Sequence, residues 1–322
     1  MKQRYAILFL FGCLPLLTFA QQPSQYSLYM LNPLHWNPAY AGLDNSLSIT
    51  GGLRRQWVGL DGSPASQYAT AHMPLYFLGG GVGMGIENET LGAETLTSAS
   101  LSYSYQRVVG KGVLAFGAGL GWVQRSIDGA KLRTPDGNYS EPGVINHEDD
   151  LLPLGIETAS TPTFNAGIYY QTEKWEGGIG VRHLTAPATP LGQLQLRLNR
   201  AYFLTLAAHF ELNKQFSIHP GMMVQSDAVQ TQGQIGVIVK YNNNIFGGAA
   251  LRGYNKNAID AAVILAGFQL SEKISLAYAY DLTLSGLDAT SNGSHELVIQ
   301  YNLGKLIGAG RPPRIIYNPR SN

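Results

Sequence analysis

A few histidines and their acidic neighbours are the groups in this sequence best suited to proton transfer: His183, His209 with Glu211, His219, Asp281, and His295 with Glu296. His209 and Glu211 are two residues apart, so on an extended strand they share one face, where an imidazole and a carboxylate form an acid/base pair. The same spacing also suits a hydrogen-bonded polar pair filling an interior. That second reading is preferred, because no Gly-x-Ser-x-Gly, His-Glu-x-x-His or Walker pattern accompanies the pair. His147-Glu148-Asp149-Asp150 is acidic enough to attract a cation but lacks the spaced oxygen ligands and the glycine of a calcium loop. It reads as a solvated acidic loop. An enzyme would need a convergent acid/base cluster at one rim, which the spacing does not display. Neither catalysis nor a metal nor a cofactor is expected.

Arg54-Arg55 is the other chemical feature. Adjacent strand residues point to opposite faces, so one guanidinium faces inward and needs a carboxylate. Asp281 or Glu87 supplies it. Arg55 is taken as the inward residue, so that Arg55, His209, Glu211 and Asp281 form a structural polar lining. A second role for Arg55 is to hold part of a partner inside the interior.

The elements that must position these groups follow from composition. Residues 1–20 read as a secretory signal peptide: Lys2 and Arg4, an apolar run from Ala6 to Phe19, and a Thr18-Phe19-Ala20 cleavage site. A lipobox reading of Leu10-Phe11-Gly12-Cys13 is disfavoured because the following residues stay apolar through Ala20. Cys13 is the only cysteine, so the exported chain carries no disulfide. Charged residues are 13% of the chain, about half the roughly 25% of soluble domains. Glycine is abundant at 38 residues and tyrosine at 18. After the signal, no apolar stretch is long enough for a spanning helix. Strands that show lipid only alternate residues reconcile these facts. The net charge of +1 argues against a nucleic-acid partner.

Period-two alternation recurs throughout. Leu114, Phe116, Ala118, Leu120 and Trp122 alternate with Gly117, Gly119 and Gly121, and Ile274, Leu276, Tyr278, Tyr280 and Leu282 alternate with Ser275, Ala277, Ala279 and Asp281. The pattern predicts an all-β transmembrane antiparallel barrel of about fourteen strands over residues 46–303, in an outer membrane, with both termini periplasmic. The strands are 46–57, 65–73, 80–88, 94–109, 112–125, 161–171, 174–184, 200–212, 214–226, 230–241, 243–253, 258–270, 273–283 and 293–303. Tight periplasmic turns fall at Gly110-Lys111, Thr172-Glu173, Asn213, Asn242, Ser271-Glu272 and Pro74 to Gly79. Longer extracellular connections fall at 58–64, 126–160, 185–199, 254–257 and 284–292. A soluble sandwich or propeller also alternates, but it keeps charge on its outer face. Here the second face is mostly Gly, Ala, Ser and Thr, and no blade-length repeat appears. Aromatics near strand ends, including Tyr103, Tyr105, Trp122, Tyr169, Tyr170, Trp175, Tyr278, Tyr280 and Tyr301, fit interface girdles.

Residues 21–45 carry two Asn-Pro pairs within Gln25-Tyr26-Ser27-Leu28-Tyr29-Met30-Leu31-Asn32-Pro33 and Asn37-Pro38-Ala39-Tyr40-Ala41-Gly42. Asn before Pro leaves the helical region and starts turns, so this stretch is expected to be a periplasmic segment that plugs or caps the barrel mouth. It resembles the signature of the PorP/SprF family of type IX secretion membrane proteins of the Bacteroidetes. The resemblance continues with Arg55-Gln56-Trp57-Val58-Gly59 and Gly62-Ser63-Pro64, and returns at Tyr280-Asp281-Leu282-Thr283 and Gly293-Ser294-His295-Glu296-Leu297. Leu28-Tyr29-Met30-Leu31 departs from the shorter Met-Phe step of many members.

That resemblance implies an outer-membrane component of the type IX secretion and gliding machinery. It implies partners of three kinds: secreted cargo or a surface adhesin, periplasmic and outer-membrane secretion components, and the lipid bilayer. The candidate partner-binding residues are Asn32, Pro33, Asn37, Pro38, Tyr40, Gly42, Arg55 and Trp57, together with Arg311 and Arg314 of the basic, Pro-rich 304–322 segment, expected to be a periplasmic tail. The long outer loops are the expected cargo contacts. The alternative is a transport barrel for small solutes, similar in architecture to fatty-acid porins.

Overall fold

A backbone N–H or C=O left unpaired in lipid costs several kcal/mol, so strands can cross a membrane only if their sheet closes. The computed structural model describes residues 24–140, 144–192, 194–255 and 258–305, and its sheet does close. The strands are β1 Ser48–Arg55, β2 Ala65–Leu75, β3 Gly80–Leu91, β4 Glu94–Val109, β5 Gly112–Asp128, β6 Ile156–Gln171, β7 Trp175–Arg182, β8 Ala201–Ala208 continued by Phe210–Glu211, β9 Phe216–Ser226, β10 Thr231–Tyr241, β11 Ile245–Asn255, β12 Ala258–Ser271, β13 Ile274–Thr283 and β14 Ser294–Asn302. Each pairs antiparallel with its sequence neighbours, and β14 pairs with β1, from Ser48 opposite Asn302 to Arg55 opposite His295. The result is a closed 14-strand barrel.

β1 begins and β14 ends where the connections are short, such as 110–111 and 272–273. Short turns mark the periplasmic end of such barrels. Tyr76–Leu78 is a 3-10 turn at that end, closed by Gly79 at φ 73°. The Tyr76 phenol donates to Asn45 Oδ1 at 3.0 Å, and burial pushes its pKa up to about 12, so it remains a proton donor at neutral pH.

Three features differ from the sequence expectation. β5 and β6 run on to Asp128 and from Ile156, so the loop between them is shorter than 126–160. The 185–199 loop contains a separate hairpin, Ala188–Leu191 with Leu194–Arg197. Tyr169 points inward and is buried against Tyr40 rather than standing in a girdle.

The outward face is apolar in a band. Phe116, Leu120 and Trp122 of β5 are exposed, and beyond them the outward positions become Gln124 and Ser126. Ala99, Trp122 and Pro162 stand side by side in the ladder, and beyond that level β4 turns outward Thr97 and Thr95, while β6 turns Ser160 and Thr158. This level is the outer boundary of the lipid-facing band.

Replacing Ile264, 65% exposed in the middle of β12, by Arg should cost about 2–4 kcal/mol. The expected readout is a reduced folded fraction in urea titration of vesicle-inserted barrel, followed by heat-modifiable migration. An unchanged folded fraction would contradict a lipid-facing wall.

Candidate functional site

The sequence predicts for residues 21–45 a periplasmic segment that plugs or caps the barrel mouth. The described residues 24–45 run through the interior of the barrel. The Ser24 hydroxyl donates to Glu89 Oε2 at 2.6 Å, near the outer end of β3, whereas Asp44 accepts from Ser48 at the periplasmic start of β1. The segment descends beside β13, β14 and β1 to Leu31, whose carbonyl accepts from Gln300 at 2.6 Å. It turns back through Pro33–Trp36, then descends the opposite wall through Pro38–Tyr40. The two Asn-Pro pairs make both turns: Asn32 and Asn37 sit at φ −139° and −144°, and each following Pro opens a short helical turn. The physical reason for entry into the lumen is apolar content. Leu28, Tyr29, Trp36, Ala39 and Tyr40 are almost fully buried against wall residues such as Phe203, Val263 and Ala115.

Glycines of the inward face form the seat. A Cβ on Gly117 would lie 2.1 Å from Ala39 N, one on Gly167 2.0 Å from Asn37 Oδ1, and one on Gly180 2.3 Å from Trp36 O. Asn37 uses both ends of its amide: Oδ1 accepts from Ala39 N at 2.9 Å, and Nδ2 donates to the carbonyls of Ile168 and Ile179 at 3.0 and 3.1 Å. Gly42 has φ 79°, and its own Cβ would lie 2.7 Å from Gly81 Cα. Both conditions require glycine at that signature position.

Charge fixes the upper half. Ser27 is fully buried and uses every polar atom it has. Its N–H donates to Glu296 Oε2 at 2.6 Å, its hydroxyl to Asp281 Oδ1 at 2.6 Å, and its carbonyl accepts from Gln234 at 3.0 Å. Arg54 Nη2 lies 2.6 Å from Asp281 and its Nη1 3.1 Å from Glu296, and Arg252 Nη2 reaches Asp281 at 2.7 Å. Both guanidinium groups also donate to the Ser27 hydroxyl oxygen at 3.1 Å. A second group gathers on Glu87, which accepts from Tyr26 at 2.8 Å and from Arg182 at 3.1 Å, with His35 3.4 Å away. Nearer the periplasm, Gly42 N donates to His72 Nδ1 at 3.1 Å.

The predicted site residues separate accordingly. Asn32, Pro33, Asn37, Pro38, Tyr40 and Gly42 are buried against the wall, where they hold the plug. Arg55 is exposed, and Arg54 is the inward residue, because Ile49, Gly51 and Leu53 set the outward phase of β1. Asp281 is the partner of that arginine, as expected. His209 does point inward, but toward Glu176 at 3.5 Å and His219, with 2.6 Å between the two Nδ1 atoms. Glu211 is exposed at the periplasmic rim, so the His209–Glu211 pair does not form. Trp57, at φ 51°, lines an outer vestibule. Arg311 and Arg314 lie outside the described residues, as does the signal segment. Glu296 entered the sequence reading only beside His295, and its partners are Arg54 and Ser27; Ser27, Arg252 and the glycine seat had no marker in spacing, since their partners are remote in sequence.

Above the plug, a vestibule of about 430 Å³ opens between Trp57, Leu91, Leu96, Leu198 and Phe203, with Arg182 and Glu89 near its floor. Below it, the cavity against Leu31 and Tyr40 is about 70 Å³, and a second one of about 420 Å³ lies at the periplasmic rim beside His209 and His219. Arg54→Ala should destabilise the barrel by about 3–5 kcal/mol, because it strands buried carboxylates. The expected readout is a lower temperature for loss of the folded band, partly restored in the Arg54→Met, Glu296→Met double variant. Gly117→Val should dislodge the plug and raise single-channel conductance in planar bilayers. Gly51→Ala, whose Cβ would meet Ile299 at an ordinary 3.6 Å, should leave conductance unchanged.

Among solved structures, the chain is similar to the CymD monoaromatic hydrocarbon channel, with 13% identity, TM-score 0.47, and coverage of 87% of this chain and 94% of that one. It is also similar to the Pseudomonas putida toluene transporter TodX, at 11% identity and TM-score 0.47 over 84% of this chain and 93% of that one. Omp33 of Acinetobacter baumannii matches at 6% identity and TM-score 0.44 over 80% and 98%. No curated protein matches. The family model described as type IX secretion system membrane protein PorP/SprF matches residues 18–301, which agrees with the resemblance of the Asn-Pro segment and the Arg-Gln-Trp motif. This outer-membrane barrel therefore belongs to the PorP/SprF family of type IX secretion system membrane proteins.

Proposed function

We propose that the protein is a plugged, non-catalytic anchor of the type IX secretion machinery, which docks a secreted or surface-attached partner at its outer mouth. The observation that carries this reading is the filled lumen. Residues 24–45 occupy the barrel from its outer third to its periplasmic rim and are held by glycine contacts and buried ion pairs. A transport route would require that segment to leave a fully buried seat, whereas docking requires nothing to move.

The outer mouth supplies what docking needs. It offers the vestibule, the 188–197 hairpin and the 129–155 loop, where Val144, Leu151 and Leu154 are about half exposed. Exposed apolar side chains beyond the lipid band are suited to a protein contact. The buried plug residues are scaffold for that mouth, and contact with periplasmic secretion components falls to the short-turn end. The fatty-acid-porin-like alternative draws no support from the lumen.

Deleting the gene should remove a specific set of proteins from the cell surface while other secreted proteins remain. Surface proteomics of deletion and complemented strains checks this, and an unchanged surface inventory would overturn the docking reading. The purified wild-type barrel should be silent in planar bilayers, and a large steady conductance would support transport instead.

A further inference from the structure

β6 is 16 residues long and β7 only 8. At roughly 3.4 Å per residue and about 40° tilt these rise roughly 42 and 21 Å. β7 therefore falls slightly short of a lipid-facing band about 25 Å tall, and the upper half of β6 extends beyond its partner. The ladder between them covers only Ala166–Gln171 of β6. At the floor of the notch, Leu184 N donates to Phe164 O at 2.8 Å and His183 N to Asn165 Oδ1 at 3.2 Å.

The direction of the Phe164 carbonyl fixes the rest. In an antiparallel strand the N–H and C=O of one residue point the same way, and every second residue repeats it. Ile156, Thr158 and Ser160 therefore aim their N–H and C=O groups away from β5, into the notch. Among the described residues nothing pairs with them. The 188–197 hairpin forms its own two-stranded sheet and does not join the ladder. It lies over the inward face, where a Cβ on Gly192 would meet Glu157 Oε2 at 2.5 Å. Pro162 has the same phase and lacks an N–H, so it ends the row just where the lipid band begins.

We propose that this edge of β6, from Ile156 to Pro162, is a strand-addition site for an extended segment of a secreted polypeptide. The inference rests on the docking reading above and specifies its chemistry. Only a polypeptide backbone matches alternating donors and acceptors at strand spacing, and a lipid does not. The edge lies outside the lipid band, since Thr158 and Ser160 stand beyond the Ala99–Trp122–Pro162 level, so the occupant arrives from the cell exterior. His183, at the notch floor, also lines the vestibule, so a chain seated in the vestibule continues onto the edge. The added strand runs along about seven residues. Its outward side chains neighbour Thr158 and Ser160, which suits small uncharged residues. Open edges of this kind are normally blunted, and among the described residues of this edge only Pro162 does so.

The test uses the full chain in its own cells and, as probe, the set of surface proteins lost on gene deletion. Ser160→Pro removes one N–H from the free edge and none from the β5 ladder. It should leave the barrel abundant and heat-modifiable yet lower surface retention of that set at least tenfold, while Ser160→Ala restores it fully. If Ser160→Pro fails to assemble, Thr158→Pro serves the same purpose. A photo-crosslinking residue at Ser160 should give an adduct with a member of that set. Full retention by an assembled proline variant, no adduct, or an adduct only with a second copy of the barrel would each overturn strand addition. If no surface protein depends on the gene at all, it is the docking reading itself that fails.

Discussion

Closure of the ladder between β1 and β14 is the constraint on which the rest depends. These strands come from opposite ends of the barrel sequence, so no local turn holds them together. Arg54 and Glu296 face each other directly across that seam, and the pair is completed by Asp281, Arg252 and Ser27. Buried ion pairs seldom add much net stability, because desolvation offsets attraction. They do discriminate strongly between registers. A slip of one residue along the seam would turn Arg54 toward lipid and leave two carboxylates in the interior without it. The network is better understood as fixing how the sheet closes than as strengthening it.

The plug and the wall share this arrangement. Glu296 accepts backbone N–H groups of both Ser27 and Leu28, so the inner segment helps satisfy the charges that set the seam. The wall in turn gives up side chains to make room. Glycine in a strand interior is intrinsically unfavourable, and this barrel accepts that at Gly81, Gly117, Gly167 and Gly180 because the inner segment must pass close to the wall's backbone. The lumen is thus a packed core with two polar centres rather than a pore with an obstruction.

Much of the barrel was legible in the sequence, because lipid on one side imposes a period of two that nothing else in the chain overrides. All of the predicted strands lie within a few residues of their positions. The largest differences are at the outer ends of β3, β5 and β6, where the strands leave lipid and the outward residues become polar. The Arg54–Arg55 assignment failed for want of phase: Ile49, Gly51 and Leu53 on the outward face already marked Arg54 as the inward residue. The Asn-Pro segment was recognisable as a non-spanning plug or cap, but its course through the whole lumen was not, since its contacts reach across the whole chain, from Ser27 to Glu296. For the same reason His209 meets Glu176 and His219 rather than Glu211, its neighbour by spacing. The glycines were visible, but what they accommodate was not.

One consequence concerns the direction of the inner segment. Ser24 sits near the outer mouth, while Ser48, where the wall begins, sits at the periplasmic mouth. The chain therefore runs inward through its own enclosure before it starts to build it. A segment introduced into a finished cylinder from the periplasm would have to carry Ser24 up to the outer mouth, and Tyr26, Tyr29 and Trp36 past a wall already closed around the space they need. A cylinder wrapped around a segment already in place has no such passage to make. On that ordering the plug would serve as a mandrel, the thing the sheet is wound on.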